Sequence, residues 1–276
     1  MKIVESIFKA YDIRGKVLAE LTPEVAKGVG RAMSDILPAG TVAVGRDMRP
    51  DSEQLAKAVI EGFVMQGRKV LDLGMIASDM MYFAVGDMSL AGGAMVTASH
   101  NPGEYNGIKL TGTGVAPIGQ DTGLTEIKKI ILNDSYKQSD NKGEVIQKDI
   151  LDGWVEHAIG LAPGIRDLRI GYDAGNGMAG ILVPELRKLT PLVIDGLYLE
   201  PDGTFPNHPA NPLDFKNLED LISLVKQKSL DCGIAFDGDG DRAFLVDEKG
   251  GVVSGSILGT LIIEKTLKQN PGATIL

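Results

Sequence analysis

Apolar positions along the chain follow two rhythms that take turns. Thr22-Pro23-Glu24 places a hydroxyl cap, an N1 proline and an early acid ahead of a helical stretch running to about Leu37. Thr41 to Gly45 is a short β-rich run. A second helix, capped by Asp51 or Ser52, follows, with Leu55, Val59, Ile60 and Phe63 on one face. Lys69 to Leu73 and Ala91 to Ala98 read as strands. Beyond a polar, linker-like stretch at Ser139 to Gly143, an amphipathic helix over Ile150 to Ile159 precedes a strand at Leu168 to Asp173. Asn176-Gly177 then opens a helix to about Leu189, and a proline-rich loop from Glu200 to Phe215 leads to a helix at Asn217 to Lys228. Cys232 to Phe236 and Ala243 to Val246 are buried strands, and Ser256 to Gln269 (helix) and Ala273 to Leu276 (strand) close the chain. Strands alternating with helices predict an α/β protein with mixed, mostly parallel sheets covered on both faces.

At 276 residues the chain exceeds what one core comfortably serves, so more than one domain is expected. A net charge of −9 argues against nucleic-acid or anionic-membrane partners. The lone Cys232 allows no internal disulfide, which points to a reducing, cytoplasmic setting. Met1 to Tyr11 holds no signal-like apolar run, and no stretch approaches the roughly 20 apolar residues of a membrane span.

Between the strands at Cys232 and Ala243 lies Asp237-Gly-Asp-Gly-Asp241-Arg242. Glycines at 238 and 240 let the loop bend so that Asp237, Asp239 and Asp241 converge. Three like charges so close call for a cation, and oxygen-only ligands select a hard one, Mg²⁺ or Ca²⁺. An EF-hand is excluded: its sixth position must be Gly and is Arg242, and the flanks are strands. An aspartyl-phosphate phosphatase of the haloacid dehalogenase type, with Asp237 as nucleophile, fits poorly because too little chain follows for its later motifs. The bland alternative is a solvated acidic turn.

The strand ending near Ala98 delivers Thr97-Ala-Ser99-His100-Asn-Pro-Gly-Glu-Tyr-Asn-Gly-Ile-Lys109-Leu110, a serine presented at the carboxyl edge of a sheet, where open α/β folds bind ligands. A serine hydrolase is poorly supported, since G-x-S-x-G is absent and His100 is too near in sequence to orient easily onto Ser99. Earlier, Tyr11-Asp-Ile-Arg14-Gly15 reads as a surface turn with an ion pair. Read together, a phosphorylated Ser99 would complete the coordination of Mg²⁺ held by the three Asp, with Arg14, Lys109 and Arg242 spreading the charge of phosphoryl transfer.

On these residues the chain resembles the α-D-phosphohexomutases, in particular their phosphomannomutase/phosphoglucomutase branch. The matching strings are AYDIRG at 10–15, VGRDMR at 44–49, TASHNPGEYNGIKL at 97–110, DAGNGMAG at 173–180 and FDGDGDR at 236–242. The resemblance implies consecutive three-layer α/β/α domains: 1–143 with the phosphoserine loop, 144–250 with the metal loop, and 251–276 as the incomplete start of a third. It implies a phosphoserine at Ser99, and Mg²⁺ bound by Asp237, Asp239, Asp241 and a phosphoserine oxygen. Arg242 would contact the phosphoserine or substrate, and Lys109 and Arg14 would line the cleft with Tyr11 and His100 beside them. The implied reaction is an isomerisation: a phosphoryl group moves between O6 and O1 of mannose or glucose through a hexose 1,6-bisphosphate. Phosphoglucosamine mutases open with GTDGIRG rather than this chain's YDIRG, which ranks that substrate lower. The HPANP string with His208 reads as a structural connection.

The family's sugar-reading loop in its third domain and phosphate-gripping loop in its fourth have no counterpart in these residues. The expectation is therefore a feeble mutase at best, or a phosphosugar-binding remnant without turnover. Apolar surface left uncovered by an unfinished domain would favour poor solubility or association with another chain.

Overall fold

The computed structural model describes residues 3–275, and the chain builds two mixed sheets in succession. The first contains β1 (Ile13–Lys16), β2 (Val42–Arg46), β3 (Val70–Met75), β4 (Gly92–Val96), β5 (Tyr105–Gly112) and β6 (Val145–Gln147), in the spatial order β1-β5-β4-β2-β3-β6. β2 runs parallel to β3 and β4, and β3 to β6, while β5 is antiparallel to both β4 and β1. Helices α1 (Pro23–Ile36), α2 (Ser52–Met65), α3 (Ser78–Asp87) and α4 (Leu124–Asn133) make the connections. Alternation along the strands divides the core in two. Val42, Val44, Ala94 and Val96 face α1, α2 and α4, whereas Ala43 and Met95 face α3. Both faces are thus covered, as the apolar runs required.

After α5 (Leu151–Gly160), the second sheet gathers β7 (Arg169–Asp173), β8 (Val193–Leu197), β9 (Cys232–Phe236), β10 (Ala243–Asp247) and β11 (Val252–Val253), in the order β11-β10-β9-β7-β8. β7 is parallel to β8 and β9, and β9, β10 and β11 form an antiparallel meander. Two helices, α6 (Val183–Leu189) and α7 (Glu219–Lys228), lie within this half. The last element, α8 (Gly255–Gln269), buries no side chain: Ile257, Leu261 and Ile262 are 58%, 61% and 58% exposed.

Several elements differ from their sequence reading. The stretch read as a turn at Tyr11 to Gly15 becomes strand from Ile13, because β5 supplies its hydrogen-bonding partner. The Thr22 cap forms, its hydroxyl accepting from Val25 N at 3.3 Å. Neither residue expected to cap α2 does so: Asp51 makes no side-chain bond to the helix, and Ser52 Oγ donates instead to Asp47 Oδ1 at 2.5 Å. The single helix expected from Asn176 divides into a 3₁₀ turn, Met178–Leu182, and α6. Past residue 143 the chain still belongs to the first sheet through β6, and Ile150 and Val155 of the next segment share a core with Met80, Met81, Met178 and Leu182. No strand forms over residues 273–275, and Leu276 lies outside the described residues. Among the described residues no helix is long and apolar enough to cross a membrane.

Candidate active site

The carboxyl ends of β4 and β9, one from each sheet, point their loops at each other. Ser99 sits three residues past β4, buried, with φ +52°, a left-handed conformation that is strained for a serine. That turn is stabilised by the Thr97 hydroxyl, which accepts from Ser99 N at 2.9 Å. Opposite, Asp237 follows β9, and β9–β10 pairing closes the loop so that Asp237 N and Arg242 O bond at 3.2 Å. The two glycines of this loop have different jobs. Gly240 adopts φ +76°, whereas Gly238 passes so near the serine loop that a Cβ would lie 2.5 Å from Ser99 O.

Ser99 Oγ donates to Asp237 Oδ2 at 2.7 Å, joining residues 138 apart in sequence. Arg242 holds both ends of this bond: its Nη2 donates to Ser99 Oγ at 2.6 Å and to Asp237 Oδ2 at 2.5 Å, and its Nε to Asp237 Oδ2 at 2.9 Å. Lys109, from β5, donates to Asp239 Oδ2 and Asp241 Oδ2, each at 2.6 Å. His100 also reaches the serine, its Nδ1 lying 3.2 Å from Ser99 Oγ, which overturns the expectation from sequence proximity: the left-handed turn at Ser99 swings the two side chains together. Arg242 Nη2 also donates to His100 Nδ1 at 2.5 Å, so that nitrogen is an acceptor. Arg14 stands behind the loop, donating to Ala98 O at 3.1 Å, Asn101 Oδ1 at 2.6 Å and Asp12 Oδ2 at 2.6 Å. Tyr11 is not brought into the cluster: it is 86% exposed, on the stretch ahead of β1 where no strand partner draws it in.

Burial raises the Asp237 carboxyl to about 6, and the neighbouring Asp239 and Asp241 charges add to the rise against the Ser99 and Arg242 bonds. Burial acts the same way on Asp239, yet the Lys109 charge, with hydrogen bonds from Lys109 and Ser78, outweighs it and holds that group low. For Lys109, desolvation is overcome by the two aspartates, and the ammonium stays charged. His100 is lowered by burial, then by Arg242 and Arg14, which keeps the imidazole neutral near pH 7.

The site fits a hard cation. Asp237, Asp239 and Asp241 each offer an oxygen within 4.8 Å of the others, and Asp239 Oδ1 is buried with no hydrogen-bond partner.

Two further residues escaped the sequence reading. Ser78, the first residue of α3, donates its hydroxyl to Asp239 Oδ2 at 2.5 Å and its N–H to Asp239 O at 2.9 Å. A serine in a helix start carries no signal beyond capping, so nothing in the sequence linked it to a loop 161 positions away. Arg49, within the string VGRDMR, is almost fully buried beneath the serine loop. An arginine in a polar loop reads as a solvated side chain until its partners are known.

Fold and site together define an α/β protein whose two sheets meet at a serine facing a cation-competent carboxylate triad. Two family models describe these halves: the phosphoglucomutase/phosphomannomutase alpha/beta/alpha domain I matches residues 5–138, and domain II matches 154–251. The chain belongs to the phosphoglucomutase/phosphomannomutase family. Over 98% of its length it is 38% identical to a phosphomannomutase of Escherichia coli and 39% identical to one of Vibrio cholerae, in each case matching 61% of the relative. Among solved structures, a phosphoglucomutase/phosphomannomutase family protein of Burkholderia thailandensis superposes with a TM-score of 0.91 at 35% identity. That match covers 99% of this chain and 61% of that one. The chain thus spans about three-fifths of the length of the relatives it matches.

Proposed function

We propose that this chain carries the phosphoryl-donating half of an α-D-phosphohexomutase acting on mannose or glucose phosphates, with Ser99 as the phosphoryl carrier. The observation that supports it most is the bond from Ser99 Oγ to Asp237 under a shared Arg242, at the seam of the two halves. In the donor step the Oγ–phosphorus bond breaks as a sugar hydroxyl oxygen bonds to phosphorus, and the proton of that hydroxyl ends on the freed Ser99 Oγ, directly or by way of solvent. In the return step the other phosphate of the hexose 1,6-bisphosphate passes back to Oγ. Arg242 already donates to Oγ, so its guanidinium is placed to balance the charge that grows there when the phosphoryl group departs. Lys109 brings a second fixed positive charge to the same cleft, and neutral His100 accepts from Arg242 and so fixes its orientation. Arg14 keeps the loop in place through Ala98 O and Asn101. Asp237, Asp239 and Asp241 would hold Mg²⁺, with a phosphoserine oxygen as a further ligand; when bound, the ion supplies Lewis-acid polarisation of the transferring phosphate.

On this reading the first domain runs through β6 to Gln147, the metal-loop domain follows through β11 to Val253, and α8 beyond it buries no side chain in either core. The half-buried lone Cys232 suits a cytoplasmic setting. The test is transfer of isotopically labelled phosphate from glucose or mannose 1,6-bisphosphate to the protein. Mg²⁺-dependent labelling that a chelator abolishes supports the proposal, and the faster donor shows the preferred hexose. Absence of labelling with both bisphosphates in the presence of Mg²⁺ would sink it.

A further inference from the structure

Arg49 uses both of its terminal guanidinium nitrogens within the protein. Nη1 donates to Pro102 O and Tyr105 O, each at 3.0 Å, and Nη2 to Ser99 O at 2.8 Å and Asn101 O at 2.6 Å. Nε faces Asp47 Oδ2 at 3.4 Å. Those four carbonyls belong to the loop that carries Ser99, and the side chain is 1% exposed. The one N–H without a hydrogen-bond partner, on Nε, is buried against Asp47, so no donor is turned toward a substrate phosphate and ligand binding is not its task. Its own position is fixed from below. Asp47, fully buried, accepts from Arg49 N at 3.0 Å and from Ser52 Oγ, and Ser52 Oγ accepts from Asn106 Nδ2 at 2.9 Å, which ties the far end of the same loop.

The second half closes over this arginine. A Cβ on Gly203 would lie 2.5 Å from Arg49 Cα and 2.8 Å from Met48 O, and the Phe205 ring centroid stands 5.3 Å from the guanidinium carbon. The residues that set the serine loop therefore also set where the metal-loop half docks.

We infer that Arg49 is a positioning residue: it holds the Ser99 loop, by its four carbonyls, in the register at which Ser99 meets Asp237, and Gly203 to Phe205 lock that register across the two halves. The inference rests on the reading of Ser99 as phosphoryl carrier. Lysine cannot replace it, because one ammonium does not present the planar fork that serves four carbonyls.

The test compares wild type with Arg49→Lys by two readouts. The first is amide exchange over residues 97–106, which needs no enzymatic activity and is expected to speed up by about tenfold as the loop loosens. The second is the single-turnover rate of Ser99 phosphorylation by glucose 1,6-bisphosphate. Its maximum is expected to fall about 10²-fold while the half-saturating bisphosphate concentration stays within about threefold. If Arg49→Lys loses its cooperative melt, Gly203→Ala carries the same two readouts with every charge in place and the same expected changes. Unchanged exchange over 97–106, or a maximal rate within about twofold of wild type, overturns the inference. If wild type itself accepts no phosphate, the proposed function falls, and the exchange data still decide whether Arg49 positions the loop.

Discussion

Arg242 is the side chain on which the electrostatics of Ser99 turn, because it donates to the serine oxygen, to Asp237 and to His100 at once. Arg242→Ala is expected to lower the rate of Ser99 phosphorylation by about 10²–10³-fold, the range for losing one fixed donor at a site of developing charge. Arg242→Lys should recover only part of that, since a point charge cannot span three acceptors; equal rates in all three proteins would remove Arg242 from the chemistry. A second residue-scale prediction concerns Asp79, in the first turn of α3, whose Oδ1 is buried without a partner and whose carboxyl burial raises from 3.8 to about 6. A folded-state value above the unfolded one means the native state binds the proton more tightly. Stability from this group is present below pH 3.8 and is lost as pH rises through about 6. Asp79→Asn removes that loss, so at pH 7 the variant should be more stable than wild type by about 2–3 kcal/mol, with the gap closing toward pH 4. Denaturant melts across this range check it, and a gap that does not vary with pH would rule out titration of Asp79 as its cause.

At the scale of elements, burial sorts the helices. The sides of α1 and α2 that face the sheet are fully buried through Val25, Val29, Leu55, Val59 and Phe63, whereas α8 buries nothing. In the 276-residue chain the amides of α8 should exchange orders of magnitude faster than those of α1 and α2, because only local fraying limits them. Hydrogen exchange by mass spectrometry measures this directly, and protection in α8 equal to that of α1 would show a packing partner for it. The strands and helices with clear rhythms, β2, α1, α2, β9 and β10, were legible in the sequence because one face or both had to be apolar. β1 was not: Ile13-Arg-Gly-Lys16 is extended only because Tyr105 to Ile108 lies beside it. Nor was the division at Leu182, or the continuation of the first sheet to Gln147, since both are decided by contacts made far along the chain.

Across the whole molecule, the site exists only where the two halves meet. Ser99, Arg14, His100, Lys109 and Ser78 come from the first half and Asp237 to Arg242 from the second, so separating them would part Asp239 and Asp241 from Lys109 and Asp237 from Ser99. Most of these residues were legible in the sequence because an Asp-Gly-Asp-Gly-Asp loop and a serine on an Asn-Pro-Gly turn each carry chemistry on their face. Ser78 and the work of Arg49 were not, because their partners are a carboxylate distant in sequence and a loop backbone, and Tyr11 was expected in a cleft where its side chain does not lie. The central claim is that Ser99 is the carrier facing the triad. Tandem mass spectrometry of the protein after incubation with Mg²⁺ and glucose 1,6-bisphosphate is the direct measurement. It should find phosphate on Ser99, stable to hydroxylamine and absent from Ser99→Ala and Asp237→Asn; hydroxylamine-labile phosphate on Asp237, or labelling that persists in Ser99→Ala, would contradict it.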